Sequence, residues 1–351
     1  MSIFKSGFSL KLLKAYLRNK RLCAAELREI QSRMRGVSLS VKPRANVIFY
    51  APTELGFGRT GKVSDLKYFS AFADTLHSFD VQPYFLMDAQ AANDVIKMDI
   101  PTVVILVYGE DIKLPQKDDL PELIDSADVV FNDLSVGSVA ASKIKTNRFF
   151  EKHNVPTPRL VKEATETVFS NELEGSNRPV AICEVGDELD ENRFNTEFIN
   201  TRFDYEGSTY FTSLRLMCVG PEIIDVLARA RSINDESPSV HTKDTPLNDM
   251  LINEILEKSI EKYLSHFCEI AEMISSELGL GFYAHDILID WTQDRLVCCE
   301  TGLKLFDDDF SNHFQSIRDK LNMADRNFCA KKYGQASSDC LISSLQKMHI
   351  I

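Results

Sequence analysis

The chain lacks several features that would each point to a particular class of protein. It has no run of about 18 apolar residues, so we expect no transmembrane helix. Its first residues lack an apolar stretch followed by a small-residue cleavage site, so we expect no secretory signal. The eight cysteines form no CxxC pair, which favours reduced thiols over a zinc site or a disulfide framework. We also find no internal repeat, and the sequence therefore predicts a cytoplasmic globular protein.

The charge is unevenly distributed. Residues 1–35 hold nine Lys or Arg and two Glu, a net charge of +7. Because the whole chain has a net charge of −12, the remaining residues carry −19. Such an acidic body argues against nucleic-acid binding. Apolar residues recur at three- and four-residue steps in the basic stretch, which predicts a helix within residues 1–44. This helix could pack on its own body, contact a partner or lie on an anionic membrane surface. The oligomeric state also stays open.

Apolar patterns from residue 45 onward predict a mixed fold. The first part alternates strands with helices, which indicates a parallel, Rossmann-like sheet. We predict strands at 46–51, 81–87, 102–108 and 128–131, and helices at 64–79 and 140–153. The second part is typical of antiparallel pairing around one long helix. Here we predict strands at 179–183, 196–200, 209–219 and 223–231, a helix at 250–278, and a hairpin of 282–291 with 295–301.

The predicted hairpin carries two carboxylates. Asp286 lies in the first strand, and Glu300 ends the second. Across a short hairpin they can meet on one face, and magnesium takes one or two carboxylates together with phosphate oxygens and waters. The flanking residues are apolar, and a carboxylate at a buried strand end usually has a partner. We therefore predict a metal pair, with a solvated acidic hairpin as the alternative.

Three arginines lie on the preceding strand pair. Arg215 is on one strand, Gly220 is at the turn, and Arg229 and Arg231 lie on the returning strand. Strand alternation places Arg229 and Arg231 on the same face. Cations near a magnesium site are suited to holding phosphate and to neutralising the charge that develops during its transfer. The alternative is cross-strand pairing with acidic side chains at the surface.

Two lysines, Lys143 and Lys145, open the predicted helix that ends in a Val-Pro-Thr-Pro turn. A lysine at a nucleotide cleft supplies a point charge for phosphate. This segment, FNDLSVGSVAASKIKTNRFFEKHNVPTPRL, resembles the opening helix of the ATP-grasp superfamily. The segment NTEFINT, residues 195–201, resembles the family's hinge, which implies that Glu197, Phe198 and Ile199 hold adenine and ribose.

Two further segments follow in the family's order. SLRLMCVGPEIIDVLARARS resembles the strands that carry its two arginines, with the spacing of the branch that ligates glutamate to proteins and cofactors. AHDILIDWTQDRLVCCETG resembles the strands of its metal-binding aspartate and glutamate. The resemblance implies ATP and Mg²⁺ as cofactors, with Arg215 and Arg229 catalytic, Lys143, Lys145 and Arg231 on the nucleotide, and Asp286 and Glu300 on the metal.

The resemblance also implies a division of the chain. A Rossmann-like substrate domain would span residues 45–135, and a two-part ATP-grasp clamp would span 136–207 and 208–330. Residues 331–351 would then form a C-terminal tail. The expected fold class is thus α/β (α+β), with the Rossmann-like domain first and the two-part clamp after it.

Three positions depart from the family pattern. The phosphate-binding lysine–proline falls at Cys183 and Glu184, and the glycine-rich phosphate loop is an acidic segment, 187–192. The neutral metal ligand two residues after Glu300 is replaced by Gly302. His241, Asn234 or the acidic run 307–309 could substitute for it.

A second phosphate-binding pattern occurs at residues 56–62, GFGRTGK, which satisfies the GxxxxGK skeleton of a P-loop. The next residue is Val63, so the hydroxyl that holds magnesium is missing, and three residues separate the preceding strand from the first glycine. We instead expect this turn to line the cleft for the second substrate, because open α/β sheets bind ligands at the carboxyl ends of their strands. Arg59 and Lys62 would there suit a carboxylate or phosphate.

The resemblance implies an ATP- and magnesium-dependent carboxylate–amine ligase that forms an amide through an acylphosphate. Its substrate would be an amino acid, a peptide or a modified metabolite. Two alternatives remain open at the level of sequence. One is a catalytically degenerate relative that serves as a nucleotide-binding or regulatory module, which the three departures favour. The other is a nucleotide-sugar glycosyltransferase that uses the glycine-rich turn at 56–61.

Overall fold

The computed structural model describes eight stretches of the chain: residues 42–51, 63–86, 88–108, 120–172, 180–235, 237–241, 244–305 and 330–351. The predicted N-terminal helix, Arg59, Lys62 and the acidic run 307–309 lie outside them. Across the described stretches, none of the helices combines the length and apolar character needed to cross a lipid bilayer.

The first four strands form a parallel sheet, as the alternating pattern predicts. They are β1 (Ala45–Tyr50), β2 (Val81–Leu86), β3 (Thr102–Leu106) and β4 (Val129–Phe131). Their spatial order is β2-β1-β3-β4, and every neighbouring pair is parallel. Strands buried on both faces are typical of parallel sheets, which explains their continuous apolar runs.

Helices cover both faces of this sheet. Helix α1 (Val63–Ser78) packs Tyr68 and Phe72 against Phe49 on one face. Helices α2 (Ala89–Ile96) and α3 (Leu120–Ser126) pack against Tyr50 on the other. The sequence patterns did not predict α2 and α3.

A C-terminal helix, α7 (Ala330–Lys347), lies against α1. We expected only a tail over residues 331–351, but α7 buries Leu341, Ile342 and Leu345 in the same core as α1. The two helices approach closely at Gly334, where a Cβ would overlap the carbonyl oxygen of Tyr68. Only glycine permits this approach.

Two short helices lead to a second, smaller sheet. Helix α4 (Leu134–Ala140) is separated from α5 (Lys143–Lys152) by Ser142, whose side chain caps α5. The predicted helix at 140–153 is therefore two helices that meet near its start. Strands β5 (Val168–Glu172), β6 (Ala181–Cys183) and β7 (Arg193–Glu197) follow as an antiparallel sheet in the order β6-β5-β7. The sequence patterns did not predict β5, and the strand predicted at 196–200 is β7, which starts three residues earlier.

The third sheet is antiparallel and contains the remaining strands. They are β8 (Arg202–Tyr205), β9 (Ser208–Val219), β10 (Glu222–Ser232), β11 (Phe282–Asp290) and β12 (Arg295–Leu303). Their order is β10-β9-β11-β12, with β8 beside β9. Gly220 forms the turn between β9 and β10 with a φ of +56°, a left-handed conformation that glycine adopts without strain. Parallel and antiparallel sheets thus occur in the predicted order, and the α/β fold class is confirmed.

One long helix, α6 (Asp249–Leu278), connects β10 to β11. It buries Leu251, Ile255, Phe267 and Ile270 in the core that also contains side chains of the third sheet and of α1. Asn132, which follows β4, adds a polar link: its backbone N–H donates to the Leu280 carbonyl, and its side-chain oxygen accepts from the Phe282 N–H. The parallel sheet is therefore fixed to the start of β11.

Candidate functional site

Four neighbouring strands of the third sheet present charged side chains on one face. Arg215 on β9 lies opposite Asp286 on β11, and Asp286 lies opposite Glu300 on β12. Arg229 on β10 lies opposite Ser213, two residues before Arg215, and therefore shares the same face. The predicted hairpin thus exists, and its two carboxylates oppose each other as expected.

Asp286 is bound by both arginines. Arg215 donates from Nε at 2.7 Å and from Nη2 at 2.9 Å to the two carboxylate oxygens, and Arg229 donates from Nη2 at 2.8 Å. The side chains of Arg229, Arg215 and Asp286 are 7%, 15% and 17% exposed. Both arginines therefore pair across strands with a largely buried acid rather than with a surface one, at a place where water still reaches the edge of the cluster.

Charge controls the ionisation of this cluster. Burial alone would raise the pKa of Asp286, but the guanidinium charges of Arg215 and Arg229 outweigh it and hold that pKa well below its usual range. The positive charge of Lys304 acts in the same direction. Asp286 is therefore an anion throughout the physiological range, and the arginines and Lys304 form a positive surrounding for it.

Side chains on the opposite face of the same strands contact each other across the strands. His285 and Thr301 are cross-strand partners next to Asp286 and Glu300, and His285 Nδ1 lies 2.7 Å from Thr301 Oγ1. One position further on, Cys299 is an extra residue in β12, and its thiol donates to the Asp286 carbonyl at 3.3 Å. Burial raises the pKa of the Cys299 thiol, so this cysteine is not a nucleophile at neutral pH.

A second ion pair joins β7 to β12. Glu197 accepts two hydrogen bonds from Arg295, with Nη1–Oε2 at 3.0 Å and Nη2–Oε1 at 2.6 Å. It also accepts from the backbone N–H of Arg159 at 2.9 Å. Burial would raise the pKa of Glu197, but these hydrogen bonds outweigh it and lower that pKa. The predicted hinge acid therefore connects the small sheet to the strand that carries Glu300.

The other two predicted hinge residues follow Glu197 directly. The Phe198 N–H donates to the Thr167 carbonyl, and its ring meets Phe211 edge-on at 6.5 Å. Ile199 is buried. The backbone here is thus held by neighbours from the small sheet and from β9.

The predicted lysines occupy the first turn of α5. Lys143 is buried, whereas Lys145 is exposed. The N-terminus of a helix attracts anions through its free N–H groups and its dipole. Two lysines at this point increase the local positive potential further, which suits phosphate.

The turn after α5 is held against β12. The Asn147 side-chain amide donates to the Pro158 carbonyl at 2.7 Å and to Thr157 Oγ1 at 3.2 Å. The Pro156 carbonyl in turn accepts from the Cys298 N–H at 2.7 Å. Helix α5, the turn and β12 therefore form one connected unit beside Glu300.

Arg231, which the resemblance places on the nucleotide, contacts the segment that follows β10. Its Nη1 donates to the Ser239 carbonyl at 2.9 Å and to Asp244 at 3.4 Å, and Nε lies 3.5 Å from Asp235. Within the described residues, the contacts of Arg231 include none with Asp286. Arg231 thus holds the segment after β10, where His241 Nε2 lies 3.1 Å from Ser239 Oγ.

The departures from the family pattern are visible in the small sheet. After β6, the Glu184 N–H donates to Asp187 at 2.8 Å, and Gly186 has a φ of +92° with no neighbouring atom near its missing Cβ. Val185 beside it is largely exposed. This turn is exposed, and the lysine of the family pattern is replaced by Cys183.

The residue types fit a magnesium–nucleotide site in part. Two carboxylates on one face, Asp286 and Glu300, are a set that magnesium accepts when phosphate oxygens and waters complete its shell. Among the described residues, no group of three or more His, Cys, Asp or Glu is placed to hold a metal ion. The hydrogen bonds to Asp286 also have to be exchanged before that carboxylate can reach an ion.

Sequence reasoning missed Arg295, Asn147 and Lys304. Arg295 begins the predicted second hairpin strand and Lys304 follows it, but nothing in their spacing shows which acids they face. The sequence gives a weak indication for Asn147, because this residue lies in the helix before a proline-rich turn whose carbonyls need hydrogen-bond donors.

Comparison with known proteins gives matches among solved structures alone. No protein-family model matches the chain, and no match was found among curated proteins. Among solved structures, the chain is similar to a RimK domain ATP-grasp protein from Sphaerobacter thermophilus, with 12% identity, TM-score 0.41, and 85% of this chain and 99% of that one covered. It is also similar to the D-alanine–D-alanine ligase from Bacillus anthracis complexed with ATP, with 10% identity, TM-score 0.46, and 87% and 98% covered.

A third similar structure is the ATP-grasp ligase PsnB complexed with a phosphomimetic variant of its minimal precursor, Mg and ADP, with 12% identity, TM-score 0.45, and 88% and 99% covered. At such identities and scores the likeness identifies no catalytic side chain, so function has to rest on the residues of the site.

Proposed function

We propose that this protein is an ATP- and Mg²⁺-dependent carboxylate–amine ligase that forms an amide bond through an acylphosphate. The proposal rests on one observation above all. Two guanidinium groups, Arg215 and Arg229, converge beside the opposed carboxylates Asp286 and Glu300 on one face of the antiparallel sheet. Paired cations next to paired hard oxygen ligands are the groups that phosphoryl transfer requires.

The nucleotide would extend from β7 toward this cluster. Glu197, Phe198 and Ile199 would hold the adenine and ribose, and Arg295 would keep the Glu197 carboxylate in place. Lys143 and Lys145 at the start of α5 would bind phosphate with the help of the helix N-terminus. Arg231, near the end of β10, would add a further positive charge for the nucleotide.

The reaction would proceed in two steps. In the first, a carboxylate oxygen of the acid substrate attacks the γ-phosphorus, the bond to the β–γ bridging oxygen breaks, and ADP leaves. In the second, an amine nitrogen attacks the acyl carbon, phosphate leaves with the electrons of its C–O bond, and the nitrogen loses a proton. Arg215 and Arg229 would neutralise the charge that develops on the transferring phosphoryl group.

Asp286 and Glu300 would hold magnesium, which supplies charge neutralisation on the triphosphate when it is bound. No covalent enzyme nucleophile is needed, which agrees with the raised pKa of the Cys299 thiol. The acid and amine substrates would be small molecules or a peptide. Arg59 and Lys62, outside the described residues, would bind the carboxylate or phosphate of a substrate.

The test is release of ADP in the presence of ATP, Mg²⁺ and pools of amino acids and short peptides. We expect Arg215→Gln and Arg229→Gln to reduce the rate at least about a hundredfold, the size typical for loss of a group that stabilises transition-state charge. Arg202→Gln is the matched control, because Arg202 is an exposed arginine on the same sheet, and it should retain activity. A flat trace across broad pools, with no heat of ATP binding in calorimetry, would refute the proposal.

A further inference from the structure

The two arginines both bind Asp286. Asp286 accepts three charge-assisted hydrogen bonds, and Arg215 uses two of its N–H groups on the two carboxylate oxygens at once. Bidentate arginine–carboxylate pairs of this kind are among the stronger polar contacts in proteins. In this arrangement neither guanidinium is fully available to a phosphate, and the carboxylate is not available to a metal ion.

The same three groups are needed for the proposed function, which sets up a conflict. A triphosphate placed beside Arg215 and Arg229 would also meet the negative charge of Asp286, which repels it. A metal ion approaching Asp286 would meet two guanidinium charges and Lys304, which repel it in turn. A metal ion alone is thus excluded and the binding of a nucleotide alone is weakened, whereas a nucleotide and a metal ion together can exchange partners with the cluster without a net loss of ionic contacts.

We propose that Arg215, Asp286 and Arg229 form a latch that withholds Asp286 from metal ions until a nucleotide binds. The proposal rests on the proposed function, since it concerns the same site. Phosphate oxygens take over the two guanidinium groups, and the released carboxylate then faces the metal together with Glu300. The partial exposure of Asp286 and Arg215, 17% and 15%, gives ligands access to the cluster and allows the exchange.

The latch has two consequences that a simple acidic metal site does not have. First, the free protein does not bind a divalent ion at Asp286, because the arginines occupy it. Second, a neutral residue at position 286 releases two guanidinium groups, so the affinity for metal-free nucleotide rises and no longer depends on magnesium. The nucleotide therefore binds first or together with its metal ion, and the metal ion does not bind before the nucleotide.

The first experiment measures ATP affinity by calorimetry in EDTA and in Mg²⁺, using the full chain. We expect Asp286→Asn to bind metal-free ATP about tenfold more tightly than wild type, because one nearby negative charge is removed and two cations are released. Asp294→Asn is the matched control, since Asp294 is an exposed aspartate on the same hairpin, and its affinity should equal that of wild type. An Asp286→Asn protein that is folded and binds metal-free ATP no better than wild type would overturn the latch.

The second experiment measures binding of Mn²⁺ alone by electron paramagnetic resonance. Wild type should bind no Mn²⁺ at this site, and Arg215→Gln should bind it in the absence of nucleotide. Arg229→Gln, at a more buried position, is a second variant for the same measurement, and circular dichroism checks the fold of both. Equal Mn²⁺ binding by wild type and both folded variants would contradict the latch.

The two proposals can fail separately. If wild type binds no ATP under any condition, the ligase proposal is wrong, yet the Mn²⁺ measurement still tests whether arginines withhold Asp286. If wild type binds ATP with magnesium but neither variant behaves as described, the site is a nucleotide site without a latch.

Discussion

Lowering the pH from 7.5 to 5.0 should destabilise this protein through a single buried histidine, His285. Its ring is fully buried between β9 and β12, with Nδ1 against Thr301 and the ring stacked on Tyr283 at 5.1 Å. Nε2 is buried and has no hydrogen-bond partner among the described residues. Burial lowers the pKa of His285 to about 3, and the nearby charge of Asp286 raises it only in part.

The sign and size of the effect follow from proton linkage. The pKa is about 6.5 in an unfolded chain and about 3 in the folded protein, so the unfolded state binds more protons between these values. Stability contributed by neutral His285 is then fully present above pH 6.5 and is lost as the pH falls below it. A pH of 5.0 lies about 1.5 units below the pKa of the unfolded histidine, which corresponds to a loss of about 2 kcal/mol in the free energy of unfolding. This figure does not depend on the folded pKa as long as that lies well below 5.

The measurement is the free energy of unfolding in urea at both pH values, for wild type and for His285→Gln, whose amide can still hydrogen-bond to Thr301. Wild type should lose about 2 kcal/mol more than the variant between pH 7.5 and pH 5.0. His266→Gln, at an exposed position on α6, should follow wild type. Equal losses in wild type and His285→Gln would show that the histidine is not held neutral, and the reasoning would fail.

Two further predictions concern contacts between elements. Glu197→Gln and Arg295→Gln, combined in a double-mutant cycle, should show a coupling energy of about 1 kcal/mol in urea unfolding. The value is modest because Arg295 is 39% exposed and solvent screens the bidentate pair. Strictly additive effects would mean that the pair does not join β7 to β12. Gly334→Ala should destabilise the protein by about 1–3 kcal/mol through overpacking against the Tyr68 backbone, which lowers the thermal midpoint. Gln346→Ala, on the exposed side of α7, should change the midpoint little. A Gly334→Ala protein as stable as wild type would show that the two helices can separate at no cost.

Much of the fold follows from local patterns. The four parallel strands are predictable because each is a continuous apolar run, and the β11–β12 hairpin is predictable because two apolar strands flank a polar turn. Helix α7 is harder to predict, since its buried residues lie among serines and its partner α1 is more than 250 residues away in sequence. Strand β5 has no clear period and gains its place only through pairing with β6 and β7.

The sequence predicts that Asp286, Glu300, Arg215 and Arg229 lie together on one sheet face, and the strand pairing agrees. It does not predict which of them contact one another. Their mutual binding depends on β9 being the neighbour of β11, and this order is a property of the whole sheet rather than of any segment. The pairing of Glu197 with Arg295 has the same origin, because it joins two different sheets.

The most direct test of the account is a crystal structure of the full chain with a non-hydrolysable ATP analogue and Mg²⁺. The account predicts the γ-phosphate in contact with Arg215 and Arg229, the metal on Asp286 and Glu300, and the adenine beside Phe198. A nucleotide bound elsewhere, with the hydrogen bonds from both arginines to Asp286 unchanged, would contradict it.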